Sequence, residues 1–364
     1  MEDYISSLSE EERARCRAQR AKARQAKIKA RRRARLRQLS PLILVLVAAV
    51  GIMAAFALKR EKTPAITPEQ PVFSSKLPIP AAAPEPGGPY APTVTEDTVT
   101  LTNEVGSQYA VVLDLQTDTI IAQKNADALI SPASMTKVLT LLVGAEHVAD
   151  RLDDTFTMTI DITDYCYVND CSVVGLEVGE TVTVRELLYG TILPSGADAS
   201  LGLATYVAGS HEAFVGLMNE KLEELGLSDT AHFTNCVGLY DENHKCTIMD
   251  MALILKAAME NELCREVLKA RTYDTAPTSD HPEGQTLSNW FLRRIEDRDN
   301  GGLEIVAGKT GYVTQSGSCA VSCGEDSAGN RYIVATGDAA GSQNCLYDHT
   351  ALYHDFCAKN EPAA

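Results

Sequence analysis

Hydrophobic positions in this chain follow three successive patterns. The first 40 residues are polar, Pro41–Leu58 is an 18-residue run without a charge, and only from Tyr109 do strand and helix periods alternate as in a folded domain. Tyr109–Leu115 (YAVVLDL) and Thr119–Gln123 (TIIAQ) are β-rich runs around Gln116-Thr117-Asp118 and predict a hairpin. Met135, Val138, Leu139, Leu142 and Val143 recur at helical spacing and predict a buried helix over Ser134–His147, entered through Ser131-Pro132-Ala133. Further helices are predicted at Val184–Leu193, at Phe214–Leu225 (stopped by Gly226), at Met249–Met259 and at Leu263–Ala270. Leu303–Ala307, Ser318–Cys323 and Tyr332–Thr336 predict three strands, and Asn344–Ala358 a closing helix. Strands at both ends with helices between them predict an α/β (α+β) fold: one antiparallel sheet, built from both ends of the domain and flanked by helices.

Charge divides the chain along the same lines. Residues 1–40 hold 13 Lys/Arg and 5 Asp/Glu, a balance of +8, which leaves −24 for the rest of a chain whose formal net charge is −16. Ser9 with Glu12 fits a capping box, and the Ala/Arg/Lys run after it predicts a helix. Pro41–Leu58 would be about 27 Å long as a helix, close to the hydrocarbon thickness of a bilayer. Arg31, Arg32, Arg33, Arg35 and Arg37 precede it. The positive-inside rule then keeps the N-terminus cytoplasmic and places the rest beyond the membrane. Ala55-Phe56-Ala57 offers a small-x-small cleavage site, but 40 residues before the apolar run are far more than a usual n-region, so an uncleaved signal anchor is favoured over a cleaved, secreted form. The basic segment is read as a topology signal that touches anionic lipid, rather than as a nucleic-acid arm.

Residues 59–95 hold nine prolines and predict a semi-extended spacer, leaving 96–364 as the extracytoplasmic domain. That domain holds nine of the ten cysteines, which an exported setting allows to oxidise. Cys166 with Cys171, and Cys236 with Cys246, are near enough in sequence to bridge. Cys319 and Cys323, in one strand, are about 13 Å apart and cannot bridge each other. No two cysteines have CxxC spacing, and His232, His244 and His281 form no ligand pattern, so neither a metal nor a cofactor is expected.

Three short motifs carry the candidate chemistry: Ser134-Met135-Thr136-Lys137, Ser195-Gly196-Ala197-Asp198 and Lys309-Thr310-Gly311. On one helix face Lys137 can reach Ser134 Oγ, and an amine buried there loses proton affinity and can serve as a base. Ser195, on a loop after Ile192-Leu193-Pro194, can pass a proton. Lys309 and the Thr310 hydroxyl suit a carboxylate, and Gly311, without a Cβ, lets a substrate backbone lie against the strand. Taken singly, each motif is as well explained by a helix start, a cap or a surface turn. Their order, each in its expected local structure, is what points to acyl transfer.

At these residues the chain resembles the serine D-alanyl-D-alanine carboxypeptidases, the low-molecular-mass penicillin-binding proteins. Ser131-Pro132-Ala133, Phe233-Thr234-Asn235, Gly238-Leu239 and Thr247 with Asp250-Met251 extend the likeness over about Tyr109–Thr336. The resemblance implies a β-lactamase/transpeptidase-like fold with a helical subdomain. It implies that Ser134 attacks the terminal D-Ala-D-Ala bond of a peptidoglycan stem peptide with Lys137 as base. Ser195 would relay the proton, Lys309 and Thr310 would hold the carboxylate, and the N–H groups of Ser134 and Tyr312 would form the oxyanion hole. β-Lactams would acylate the same serine. Many members carry Asn where this chain has Ala197, which removes one contact to substrate or lysine. The β-rich C-terminal domain of many relatives is expected to be absent. The alternatives are a β-lactamase, disfavoured because no acidic-x-x-Leu-Asn segment lies between Ser195 and Lys309, and a catalytically weak peptidoglycan-binding protein, kept open by Ala197.

Overall fold

The computed structural model describes residues 90–358. The basic segment, the apolar run at Pro41–Leu58 and nearly all of the proline-rich spacer lie outside the described residues. Among the described residues no helix is long and apolar enough to cross a membrane.

The strands are β1 (Thr93–Thr100), β2 (Tyr109–Asp114), β3 (Thr119–Lys124), β4 (Leu129–Ile130), β5 (Thr155–Thr157), β6 (Thr181–Thr183), β7 (Cys246–Thr247), β8 (Thr272–Asp274), β9 (Thr286–Ser288), β10 (Glu304–Val313), β11 (Gly317–Glu325) and β12 (Arg331–Ala339). The helices are α1 (Lys137–Val148), α2 (Ile160–Val168), α3 (Val184–Ile192), α4 (Ala197–Ala208), α5 (His211–Glu224), α6 (Ile248–Glu260), α7 (Glu262–Lys269), α8 (Leu292–Ile295) and α9 (Ser342–Leu352). A 3-10 turn at Ala133–Thr136 leads into α1, and a π-helical turn at Tyr353–Cys357 follows α9.

Six strands form one sheet in the order β1-β3-β2-β12-β11-β10. Strands from both ends of the domain therefore meet at its middle, where β2 pairs antiparallel with β12, Val112 opposite Val334. The alternation of strand side chains divides the interior into two layers. Val111, Leu113, Val321, Ile333 and Ala335 face the layer built with α1, α3, α4 and α6. Ala110, Val112, Ala320, Tyr332 and Val334 face a smaller layer closed by α8 and α9. Both faces of the sheet are covered, so its central strands read as nearly continuous apolar runs. Inside the larger layer α1 is buried almost all round, against α3, α4 and α6. Capping boxes fix two helix starts, Thr183 with Glu186 at α3 and Thr247 with Asp250 at α6.

Among the described residues the strands and helices predicted from Tyr109 onward are present, together with β1, the short strands β4–β9 and helices α2, α4 and α8, which the periodicity did not predict. The strand expected at Leu303–Ala307 continues to Val313, so Lys309-Thr310-Gly311 lies inside β10, at the sheet's edge. The closing helix tightens into the π turn after Leu352. β1 begins within the segment read as spacer and pairs parallel with β3, making that edge of an otherwise antiparallel sheet mixed. Its side chains are almost all exposed, so no buried face marked it in the sequence. Helices α2 and α4 were not predicted either. In α4 the first eight residues are all buried, which erases the apolar-polar period that signals a surface helix. The nine described cysteines are all free thiols, so neither suggested bridge is formed.

Candidate active site

The 3-10 turn places Ser134 just before α1 rather than within it, and Lys137 follows as the first residue of the α-helix. Ala133, one residue before the serine, has φ +47°. A left-handed residue with a Cβ costs roughly 1–2 kcal/mol, so the chain is bent here against its own preference. The bend is held from three sides. The Thr136 hydroxyl donates to Ala133 O at 2.7 Å. Gly238, at φ +80°, packs so closely that a Cβ would stand 1.9 Å from Ala133 O. Gly311 of β10 packs against the turn from the sheet, where a Cβ would stand 2.9 Å from Ser134 N.

Lys137 is 2% exposed. Its Nζ lies 3.2 Å from Ser134 Oγ and donates to Val237 O at 2.6 Å. Burial pulls the amine down to about 8, although Cys171, Cys236, Cys166 and the Asp198 carboxylate counter part of that loss. A neutral Lys137 can donate one N–H to Val237 O and turn its lone pair to the serine hydroxyl.

The carbonyl that orients this amine is itself held by Asn235. Asn235 Oδ1 accepts the N–H groups of Val237, Gly238 and Leu239 at 3.2, 2.7 and 3.0 Å, and its Nδ2 donates to Leu239 O at 3.0 Å. His244 braces the other side. Its Nδ1 accepts from Thr234 N–H at 3.0 Å, so in the neutral ring Nε2 carries the proton and donates to Thr136 Oγ1 at 2.8 Å. Burial lowers His244 to about 4, which keeps it neutral at ordinary pH.

Ser195 sits in the turn between α3 and α4 at φ +61°. Gly196 makes the turn possible, since a Cβ would meet Val174 Cγ2 at 2.7 Å and Gly190 O at 2.8 Å. Lys309 Nζ donates to Ser195 Oγ at 2.8 Å and to Thr310 O at 2.8 Å. Lys309 is 3% exposed, and burial, reinforced by the nearby Lys137, holds its amine well below the usual lysine range. Ser134, Ser195, Lys309, Thr310, Gly311 and Tyr312 line one cleft of about 620 Å³. Tyr312 is 67% exposed at its rim.

Ala197 is buried at the start of α4 and offers no polar side-chain atom. Asp198 does not replace the missing amide. Its carboxylate accepts the N–H groups of Val174, Gly175, Leu176 and Ala199 at 2.8 to 3.1 Å, which ties the segment before α3 to α4. Among the described residues no three His, Cys, Asp or Glu side chains are grouped to hold a metal.

Six of the seven sequence-predicted residues thus line one cleft, and the seventh, the buried Lys137, reaches it through Ser134 Oγ. It adds supports that single-sequence reasoning did not find: Val237 O, the tautomer of His244 and the role of Asp198. Asn235 was marked only by its place in a family-like segment, and its function follows from contacts that no spacing announces.

A sequence profile described as D-alanyl-D-alanine carboxypeptidase matches residues 94–340. The chain belongs to that family. Among curated relatives, DacF of Bacillus subtilis is 36% identical over 153 residues, which are 42% of this chain and 39% of that protein. The D-alanyl-D-alanine carboxypeptidase of a Streptomyces species is 34% identical over 213 residues, 57% of this chain and 71% of that protein. DacC of Escherichia coli is 36% identical over 179 residues, 47% of this chain and 44% of that protein. The chain thus spans less than half the length of DacF and DacC. A solved Streptomyces DD-transpeptidase superposes with TM-score 0.62 at 28% identity, over 70% of this chain and 97% of that structure. A D-alanyl-D-alanine carboxypeptidase from Mycobacterium tuberculosis superposes with TM-score 0.60 at 24% identity, over 71% of this chain and 93% of that structure, a likeness of fold.

Proposed function

We propose that this protein is a serine D-Ala-D-Ala carboxypeptidase that trims the terminal D-alanine from peptidoglycan stem peptides. The observation that carries the reading is the pair of lysine–serine contacts in one cleft: Lys137 Nζ 3.2 Å from Ser134 Oγ, and Lys309 Nζ 2.8 Å from Ser195 Oγ. Neutral Lys137 takes the proton of Ser134 as the alkoxide forms a bond to the substrate carbonyl carbon. The oxyanion is received by the N–H groups of Ser134 and Tyr312, which Gly311 brings together by its close approach to the turn. The C–N bond then breaks, the proton passes by way of Ser195 to the departing amine, and an ester on Ser134 remains. Lys309 supports Ser195 and, with Thr310, faces the leaving carboxylate. Water activated by Lys137 completes hydrolysis. A β-lactam opens on Ser134 by the same first step and has no leaving group to diffuse away.

The proposed setting is a single-pass membrane protein with a cytoplasmic N-terminus and the catalytic domain in the cell wall. Pro41–Leu58 and the five arginines before it support this.

The test is labelling with fluorescent penicillin, followed by hydrolysis of a D-Ala-D-Ala peptide. Slow-releasing label together with peptide cleavage is expected. Fast penicillin turnover would favour a β-lactamase, and neither reaction would leave a binding protein. The Ser134→Ala variant should lose all covalent label while keeping its melting temperature, and label persisting on it would place the nucleophile elsewhere.

A further inference from the structure

Beside the base stand thiols that the proposed reaction does not use. Burial lowers Lys137, and the groups that counter this are Cys171, Cys236, Cys166 and Asp198, with Cys171 foremost. Two of these cysteines share one turn. Helix α2 ends in a Schellman motif. The Cys171 N–H donates to Cys166 O at 3.0 Å, the Asp170 N–H donates to Tyr167 O at 3.4 Å, and Asp170 is left-handed at φ +57°. In this motif the side chains at the first and last of those positions meet, and here both are cysteines. Both are free thiols. A bridge between them would close a loop of only six residues, with the backbone already in place.

The two thiols differ in character. Cys166 is 4% exposed. It donates its S–H to the Cys171 sulfur, and that bond together with burial holds it far above the usual thiol range. Cys171 accepts the hydrogen bond and is held below the usual range. The nearby Lys137 amine adds to that effect, while burial and the Asp198 carboxylate oppose it. Of the nine described cysteines eight are buried, and Cys171 is the one that is partly exposed. Its chain neighbours Asp170 and Ser172 line the catalytic cleft. A partly exposed, acidified thiol backed by a buried, protonated one is the arrangement of an attacking and a resolving cysteine. The turn is also fastened to the second motif, because Ser172 O accepts the Ala197 N–H at 2.8 Å.

We infer that Cys166 and Cys171 form a reversible modification site, a dithiol that a low-molecular-mass disulfide oxidises and excess thiol restores, linked through space to Lys137. The Cys171 thiolate attacks one sulfur of the disulfide, forms a mixed disulfide and expels one thiolate. Cys166 then gives up its proton, attacks the Cys171 sulfur and expels the second thiolate. Two electrons and two protons pass from the pair to the oxidant, which leaves as two thiols. The proposed extracytoplasmic setting is one in which such disulfides persist. The site does not depend on the reaction at Ser134.

The test treats the full-length protein with 2-hydroxyethyl disulfide and maps its cysteines by mass. One tryptic peptide, Leu152–Arg185, carries Cys166 and Cys171 and no other cysteine. It should lose two hydrogens and regain them in excess dithiothreitol, and after chymotryptic cleavage at Tyr167 its two pieces should stay joined until reduced. In Cys166→Ala, Cys171 should instead keep the half of the probe that it has captured. On the reduced protein, iodoacetamide should modify Cys171 about tenfold or more faster than any other described cysteine. The link to Lys137 is read from the same rate at pH 7, which should fall about threefold or more in Lys137→Met and in Lys137→Gln. A Cys171 no more reactive than the buried thiols, a peptide that keeps its hydrogens, a bridge that excess thiol does not reopen, or a rate indifferent to both Lys137 variants would overturn the inference.

Discussion

Asn235→Ala offers the most demanding test of how the base is held. Asn235 is 6% exposed, and its side chain accepts three backbone N–H groups and donates to one carbonyl. Truncation leaves four backbone groups to find partners. At about 1 kcal/mol each the full loss is about 4 kcal/mol, and water entering the space brings the expected cost to about 2–4 kcal/mol. For a domain of this size that lowers Tm by roughly 5–10 °C. The second consequence is chemical. Val237 O, which takes a hydrogen bond from Lys137 Nζ at 2.6 Å, belongs to the turn that Asn235 shapes. Freed from that turn, the amine loses its aim at Ser134, and acylation by fluorescent penicillin should slow about tenfold to a hundredfold well below the new Tm. Asn235→Asp keeps the acceptor and loses only the donor to Leu239 O, so it should fall between. Thermal unfolding by circular dichroism and the pseudo-first-order labelling rate check both. A Tm loss below about 2 °C, or a full loss of stability with an unchanged labelling rate, would refute the view that this side chain positions the base.

Other consequences can be measured directly. Because burial lowers Lys137 to about 8, the acylation rate constant of the free enzyme should rise with pH through that region as the amine loses its proton. The same shift has a stability sign: between about 8 and the ordinary 10.5 the unfolded chain holds a proton that the native Lys137 has released, so native stability gains as pH rises across that window. The difference in unfolding free energy between wild type and Lys137→Met should therefore move toward wild type over it, and a flat difference would mean an unshifted amine. Gly311→Ala would put a methyl 2.9 Å from Ser134 N and 2.8 Å from Cys319 Sγ, so penicillin labelling should fall about a hundredfold or more with only a modest drop in Tm. A chain beginning at Tyr90 should fold and label normally, whereas one beginning at Leu101, which lacks β1 and bares the edge of β3, should melt earlier and aggregate, as light scattering would reveal.

Legibility in the sequence followed the physics of each element. Val111, Leu113, Val321 and Ile333 declared their strands because a buried strand must be apolar, and the Ser134–Lys137 spacing carried its geometry because three residues span one helical turn. Helix α4 stayed hidden because burial on every side leaves no contrast to read. β1 stayed hidden because it is exposed at a sheet edge and follows a proline-rich stretch. In the site, the residues of the three motifs were found, Ser195 and Lys309 among them although they meet over 114 positions, while the supports outside the motifs were not. His244 reaches Thr136 over 108 positions, and the Val237 carbonyl reaches Lys137 over 100. Arg294 belongs to the cleft only because Asn289 and Phe291 dock its short helix beside Gly308. No periodicity encodes such meetings.

The pairing of β2 with β12 also sets a timetable. Val112 and Val334 are opposite one another yet 334 − 112 = 222 positions apart. At synthesis rates of about 5–20 residues per second, the hairpin of β2 and β3 waits about 11–44 s for its partner. During that interval the edge of β2 that pairs with β12 in the finished sheet lacks its partner. Contacts of such separation are formed late and at a high entropic cost of closure. Yield from a producing cell should therefore depend less on the final stability of the domain than on what shields Tyr109–Asp114 in the meantime. Slowing the arrival of the last three strands should depress the yield of native protein even where the sequence is unchanged.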